Sequence, residues 1–258
     1  MKENLKCFKC LFVYPENDND NPMKLSSTST CTPTATVAYP PMLPPADAEE
    51  ELAILFLDIR NFTGLMESRP AREVIEVVHR LFSMFNKIIK TFSGTVIEMA
   101  GDSLYAVFGF GTTIKEAANQ GYQAARMMFE SVRLFNDAYA TEYGENPLEI
   151  AIGLHTGRVV VGHFGLESQQ QQLSVMGLPV NIASRLQAKT KELNNDLIVS
   201  EETYGLLQDN TSNGEKRTVS LPGLSSNRQV RLLGKPYYRN IPLEEPDCDL
   251  DYVLAISG

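Results

Sequence analysis

The alternation of apolar and polar positions changes its period several times after about residue 49. A short, nearly continuous apolar run predicts a strand over 52–59, and apolar residues at helical spacing predict long helices over 69–92, 113–139 and 180–193. Further apolar runs predict strands on both sides of Gly101-Asp102 and at 148–157, 158–165, 196–200, 229–235 and 237–241, with a short helix after Glu201. Strands interspersed with helices predict an α/β protein, specifically an α+β sandwich in which helices pack against a mixed sheet.

The chain ahead of this pattern has a different composition. Residues 15–47 are rich in Pro, Ser, Thr, Asn and Asp and follow neither the helical nor the strand period, which predicts a flexible segment. We therefore expect three regions: a flexible N-terminal segment over 1–47, a folded domain over 48–245 and a C-terminal tail over 246–258.

Composition and charge narrow the classes of function. The 258 residues carry a formal net charge of -9, whereas nucleic-acid-binding modules usually carry a basic surface, so we expect no nucleic-acid partner. No apolar run approaches the roughly 20 residues of a membrane helix, and the N-terminal apolar stretch is too short for a secretory signal. We expect no membrane span and a cytoplasmic location. The four cysteines include one CxxC pair, Cys7 and Cys10, but no second pair at zinc-finger spacing, which favours reduced thiols.

Two carboxylates follow apolar strands and are candidate metal ligands. Asp58 lies at the end of the strand at 52–59, and Asp102 lies in the turn after Gly101. If the two strands are neighbours, both side chains project from one edge of the sheet, where like charges raise each other's pKa unless a cation neutralises them. Mg²⁺ or Mn²⁺ suits such a site because hard cations bind carboxylate and phosphate oxygens. The alternative is that Asp58 is a helix cap and Asp102 an ordinary turn residue.

The segment after Asp58 turns toward a helix and offers a place for phosphate. Backbone N–H groups at a helix N-terminus bind anions without requiring a basic side chain. An acidic chain can therefore hold an anionic ligand locally at this turn.

Four motifs occur in order along the chain: LFLDIRNFTGL at 55–65, IEMAGDSLYAVFG at 97–109, IAIGLHTGRVVVGHFG at 150–165 and SVMGLPVNIASRL at 174–186. Together they resemble the class III adenylate and guanylate cyclase catalytic domain, over about residues 50–205. The resemblance implies a ferredoxin-like fold. It also implies an enzyme that converts a nucleoside triphosphate to a 3′,5′-cyclic monophosphate and pyrophosphate, as a homodimer with two composite sites.

The resemblance assigns roles in binding two divalent cations, Mg²⁺ or Mn²⁺, and the triphosphate. Asp58 and Asp102 match the two metal-bridging carboxylates, and Ile59 matches the residue whose backbone carbonyl binds one metal. Phe62 and Thr63 match part of the loop that holds the triphosphate.

A second set of matched residues is implied to act on the site of the opposite subunit. Asn181 matches the residue that orients the ribose, and Arg185 matches the one that stabilises charge on the α-phosphate. Their spacing of four residues places them on one face of a helix. Read singly, each has an ordinary alternative, because Asn is common at helix caps and Arg is common on surfaces.

Base choice is expected to depend on Glu98 and Ser174. In the family, the position of Glu98 is generally Lys in enzymes that use ATP and Glu in those that use GTP. A carboxylate can accept hydrogen bonds from N1–H and the 2-amino group of guanine, so Glu98 favours GTP. The companion position, Ser174, decides nothing, because a hydroxyl both donates and accepts. Adenylate and pyrimidine nucleotide cyclases remain alternatives with the same chemistry.

The sequence also departs from the family pattern. The family often has a phosphate-binding Lys just before the Gly of its last strand motif, where this chain has Leu233, with Arg231 and Lys235 nearby. This departure leaves open how tightly the triphosphate is bound and how strictly the base is chosen. A catalytically silent regulatory module on the same fold is a separate alternative. A polymerase-like metal enzyme is a third reading, which the acidic composition disfavours.

Overall fold

The computed structural model describes residues 48–138, 147–164, 172–208 and 214–237. The predicted N-terminal segment, the predicted tail over 246–258 and all four cysteines lie outside these residues, so those expectations stay predictions. None of the helices in the described ranges is long and apolar enough to cross a membrane.

The described part of the chain contains eight strands and five helices. They are β1 (Ala48–Ile59), α1 (Phe62–Ser68), α2 (Ala71–Thr91), β2 (Gly94–Ala100), β3 (Ser103–Phe108), α3 (Ile114–Ala138), β4 (Ile150–Phe164), β5 (Gln172–Met176), α4 (Leu178–Glu192), β6 (Leu197–Ser200), α5 (Glu201–Tyr204), β7 (Glu215–Val219) and β8 (Arg228–Leu232).

The strands form one mixed sheet in the order β2-β3-β1-β4-β6-β8-β7, and β5 pairs with β4 outside that path. The antiparallel order β2-β3-β1-β4, with helices between β1 and β2 and between β3 and β4, is the ferredoxin-like arrangement. The parallel pairing of β4 with β6 makes the sheet mixed. The predicted fold class is confirmed.

Helices cover both faces of the sheet, which explains why β1 is apolar along most of its length. Odd-numbered β1 residues such as Leu55 and Leu57 belong to the main core with α2 and α3, whereas the even-numbered Leu52 and Ile54 belong to a second core on the opposite face. A third cluster lies between α4 and strands β6 to β8. Asp58 has even parity and therefore lies on the face opposite α2 and α3.

Helix α4 packs directly on the backbone of β4 at Gly153. A Cβ at this position would overlap the backbone nitrogen of Gln187 and the carbonyl oxygen of Ala183. Glycine is required here because only a residue without a side chain lets helix and strand backbones approach so closely. This contact fixes the helix that carries Asn181 and Arg185.

Several predicted boundaries are wrong in detail. The helix predicted over 69–92 is preceded by a separate short helix, α1, and the strands predicted at 148–157 and 158–165 form one continuous strand, because Gly157 continues the pairing with β1 instead of breaking it. Strands β5 and β7 were not predicted. Tyr237 lies in no strand, and the rest of the strand predicted at 237–241 falls outside the described residues.

Candidate active site

The sheet register brings the two predicted metal ligands together. Asp58 pairs across the ladder with Ser103, the residue after Asp102. The backbone N–H of Ile59 donates to the carbonyl oxygen of Asp102 at 3.1 Å, which ties the end of β1 to the β2–β3 turn. Gly101 takes a left-handed conformation in that turn, with φ of 57°, which glycine adopts without strain. Asp58, Ile59 and Asp102 therefore share one edge of the sheet, as predicted.

Burial and mutual repulsion disfavour the charged forms of these acids. Burial, followed by the charge of Asp102, raises the pKa of Asp58 from 3.8 to about 6. The hydroxyl of Ser103 donates to Oδ1 of Asp58 at 2.9 Å and opposes this rise. Burial also raises the pKa of Asp102. A nearby cation would relieve the cost of ionising both groups.

The donor set fits a hard divalent cation. Carboxylate oxygens from Asp58 and Asp102, with the backbone carbonyl of Ile59, are the ligand type that Mg²⁺ and Mn²⁺ prefer. No group of three or more His, Cys, Asp or Glu side chains that could hold a metal ion occurs among the described residues. Such a cation would therefore need further oxygen ligands from a phosphate or from water.

Phe62 and Thr63 begin helix α1, immediately after the acidic edge. Asn61, just before them, adopts a left-handed conformation with φ of 55°, which redirects the chain from β1 into the helix. Phe62 packs against the main core and Thr63 is exposed. The first N–H groups of a helix lack partners within the helix and can bind a phosphate.

Glu98 lies on β2 beyond a bulge. The pairing of β2 with β3 shifts between Val96 and Glu98, so that Glu98 stands opposite Tyr105. Its carboxylate is exposed. Burial is the main cause of the raised pKa of Tyr105, and the charge of Glu98 raises that pKa further. Tyr105 belongs to the second core, so the bulge sets Glu98 on the same face of the sheet as Asp58.

Ser174 approaches the same region from β5. Strand β5 contacts β2, and the hydroxyl of Tyr105 donates to the carbonyl oxygen of Val175, next to Ser174, at 3.2 Å. The fold therefore brings the segments that carry Glu98 and Ser174 close to each other.

Asn181 and Arg185 lie on α4, whose entry is set by Gly177. This glycine has φ of 144°, a backbone conformation that other residues rarely adopt. Asn181 is exposed and Arg185 half-buried. A Cβ on Gly223 would lie 3.1 Å from Nη2 of Arg185, so the guanidinium lies against the turn between β7 and β8. The cations that lower the pKa of Asp58 within the chain are Lys191 and Arg60.

The prediction from sequence missed Ser103 and Lys191. Ser103 follows Asp102 directly, and the strand pairing that the two acids already imply was a signal for its contact with Asp58. Lys191 lies in the last turn of α4, among basic residues that stabilise a helix C-terminus. No local pattern indicates that this turn lies at the acidic edge.

A family comparison agrees with this geometry. The family model described as "Adenylate and Guanylate cyclase catalytic domain" matches residues 45–232. The chain belongs to this family. It carries the catalytic domain of a class III nucleotide cyclase.

Curated relatives include adenylate cyclase 1 of Rhizobium meliloti (strain 1021), 30% identical over 160 residues, and the adenylate cyclase of Anabaena cylindrica, 29% identical over 159 residues. These matches cover 62% and 60% of this chain and 24% and 30% of the relatives, so the chain spans about a third or less of their length.

Solved structures include the guanylyl cyclase Cya2, with a TM-score of 0.66 and 25% identity over 77% of this chain and 98% of that one. The adenylyl cyclase CyaB of P. aeruginosa has a TM-score of 0.64 and 25% identity over 74% of this chain and 97% of that one. The similar proteins therefore include some named as adenylate or adenylyl cyclases and one named as a guanylyl cyclase.

Proposed function

We propose that this chain forms a homodimeric nucleotide cyclase that converts GTP to cyclic GMP and pyrophosphate at two composite sites. The observation that carries the proposal is the pairing of Asp58 with Ser103, which places Asp58 beside Asp102 at one sheet edge. Their raised pKa values mean that ionising both acids is unfavourable, and a bound cation would reduce that cost.

In this proposal the acidic edge binds the triphosphate end of the substrate. Asp58, Asp102 and the carbonyl of Ile59 would hold two divalent cations, Mg²⁺ or Mn²⁺, which when bound neutralise phosphate charge and activate the ribose 3′-oxygen. Backbone N–H groups at Phe62 and Thr63 bind phosphate oxygens at the start of α1.

The partner subunit supplies the remaining groups. Asn181 orients the ribose, and Arg185 stabilises the charge that develops on the α-phosphate. Support for a dimer comes from a patch of three exposed apolar residues: Val160 and Met176 pair across β4 and β5, and Leu178 begins α4. Exposed apolar patches mark interaction surfaces, and this one adjoins the helix that carries Asn181.

Glu98 selects guanine. Its carboxylate accepts hydrogen bonds from N1–H and the 2-amino group, whereas adenine offers N1 only as an acceptor. Ser174 lies on the neighbouring β5 and completes the base pocket without deciding the base. In each site Asp102 serves the cations of its own subunit, and Glu98 reads the base whose phosphates are bound by the partner.

Adenylate or pyrimidine nucleotide cyclase activity is the nearest alternative, since the same edge would serve any triphosphate. A silent module is disfavoured because the two acids retain a costly buried arrangement. A polymerase-like enzyme is disfavoured by the net charge of -9.

The test is turnover of ATP, GTP, CTP and UTP with Mg²⁺ and with Mn²⁺, by wild type and Glu98→Lys. We expect wild type to prefer GTP and the variant to lose that preference by about a hundredfold, because each charge-assisted bond contributes about 1.5–3 kcal/mol. Glu49→Lys, at an exposed position on β1, is the control for added charge. No cyclic product from any triphosphate would refute the cyclase, and an unchanged profile in Glu98→Lys would refute only the base assignment.

A further inference from the structure

The residues around position 233, where the family often has a phosphate-binding lysine, contact other groups of the protein. Leu233 packs against the main core. The guanidinium of Arg231 pairs with both carboxylate oxygens of Glu201, at 2.8 and 3.0 Å, and lies 4.5 Å from the ring centre of Tyr204. The backbone N–H of Lys235 donates to Oδ1 of Asp196 at 2.7 Å, and the charge of Lys235 partly offsets the burial that raises the pKa of that acid. A triphosphate at the acidic edge therefore needs its cation from another element.

The C-terminal end of α4 is fastened to the same edge of the sheet. Asn194, just beyond the helix, accepts a hydrogen bond from the backbone N–H of Tyr237 at 3.2 Å. The guanidinium of Arg60, two residues after Asp58, lies 4.3 Å from the centre of the Tyr237 ring. The backbone N–H of Ile152, one residue after the β4 partner of Asp58, donates to the carbonyl oxygen of Asp196 at 2.8 Å.

Two lysines occupy this last turn, and they have different partners. The ammonium group of Lys189 pairs with the carboxylate of Glu192. Lys191 is exposed, and its charge acts on both Asp58 and Asp102. The lysine ammonium group is a compact positive charge on a long flexible side chain. The ammonium group of Lys191 can therefore stay in contact with a phosphate that binds near these acids.

We propose that Lys191 binds the terminal phosphates of the nucleoside triphosphate from the same subunit that holds the cations. The fold places the end of α4 beside the acids, and the usual lysine position is occupied by an apolar residue. This inference rests on the proposed cyclase activity and adds a substrate contact within one chain. Lys191 thus takes over the role that Leu233 cannot perform.

Lys191→Ala and Lys189→Ala form a matched pair for the test, with Lys191→Arg as the conservative variant. The readouts are KM for GTP and binding of inorganic pyrophosphate in the presence of Mn²⁺, measured by calorimetry. We expect Lys191→Ala to raise both KM and the pyrophosphate Kd by about tenfold to a hundredfold, the effect of one charge-assisted phosphate contact. Lys191→Arg should stay within about threefold of wild type and Lys189→Ala within about twofold, since an exposed ion pair contributes little.

Two outcomes would overturn the assignment: KM and pyrophosphate Kd in Lys191→Ala within twofold of wild type, or equal losses in both alanine variants. The failure of the cyclase proposal is distinguishable from these. Wild type would then form no cyclic product, whereas pyrophosphate binding would still report whether Lys191 contacts phosphate.

Discussion

The acidic edge at the end of β1 and the polar pair on α4 serve one proposed reaction, but they differ in burial and in surroundings. Asp58 is held by strand pairing, accepts a hydrogen bond from Ser103 and carries a raised pKa. Asn181 is exposed, and Arg185 lies beside Gly223. One set is positioned within the chain, whereas in the proposed dimer the other acts on the acidic edge of the partner subunit.

This difference indicates what positions the side chains in each half of the site. The acids depend on backbone register, which fixes the relative position of residues that are distant along the chain. In the proposed dimer the α4 pair acts only on association, and neither Asn181 nor Arg185 is among the buried residues of the helix. Variants that damage the two halves in separate chains therefore test this difference most directly.

The largest effect is expected from mixing two inactive variants. Asp58→Asn and Arg185→Ala should each lower kcat/KM by about a thousandfold or more, since one removes a proposed metal ligand and the other the proposed stabilising cation. Mixed and re-associated, they should recover about a quarter of wild-type activity, because half the dimers are mixed and each holds one intact site. Activity assays with native mass spectrometry would measure both quantities.

The matched control places both substitutions in one chain and mixes it with wild type. Both sites of that mixed dimer are damaged, so mixed dimers should add no activity. Absence of recovery from the separate variants, while mixed dimers are detected, would contradict the shared site.

A smaller effect is expected when Ser103 is changed to Ala. The hydroxyl lowers the pKa of Asp58, so its loss should move the acid limb of the pH dependence of kcat/KM upward by about one pH unit. This shift reduces kcat/KM by about tenfold on the acid limb and by about twofold at neutral pH. Ser83→Ala, on the exposed face of α2, is the control. A pH profile equal to that of wild type would show that the hydrogen bond does not tune the acid.

The last effect concerns the stability of the metal-free protein and not its turnover. The pKa of Asp58 rises from 3.8 to about 6 on folding, so the stability contributed by its protonated form is present below pH 3.8 and is lost as pH rises through about 6. Asp58→Asn stays neutral and should be more stable than wild type at pH 8 by up to about 3 kcal/mol, with the difference vanishing near pH 4.

Urea unfolding in EDTA at pH 4 and pH 8 measures this difference. Asp137→Asn, an exposed carboxylate paired with Arg133, provides the control. Equal stability of Asp58→Asn and wild type at both pH values would mean that the acidic edge is not strained.

Some contacts of the site could be predicted from the sequence, and others depend on the tertiary structure. The apolar run before Asp58 and the turn at Gly101 were sufficient to place Asp58 and Asp102 on one edge, because local periodicity and turn residues fix strand ends. The contact of Ser103 with Asp58 required the register itself. The position of Lys191 required the tertiary path of α4, which depends on the close approach at Gly153 and on Asn194, and no local pattern encodes that path.

Strands β5 and β7 show a related limit. Each is five residues long, and β7 is exposed over most of its length. Short strands at a sheet edge need no long apolar run, so their hydrophobic pattern is weak. The bulge before Glu98 is equally invisible in the sequence, although it decides which face the carboxylate takes.

The stacking of Arg60 on Tyr237 bears on how the domain can be joined to other proteins. A fusion made after Tyr237 would emerge beside the acidic edge, where even a passive attachment could obstruct the proposed nucleotide site. A fusion made ahead of Ala48 would emerge at the far end of β1, about 30 Å away along the strand. Reporter domains intended to leave turnover unaltered belong on that distal side.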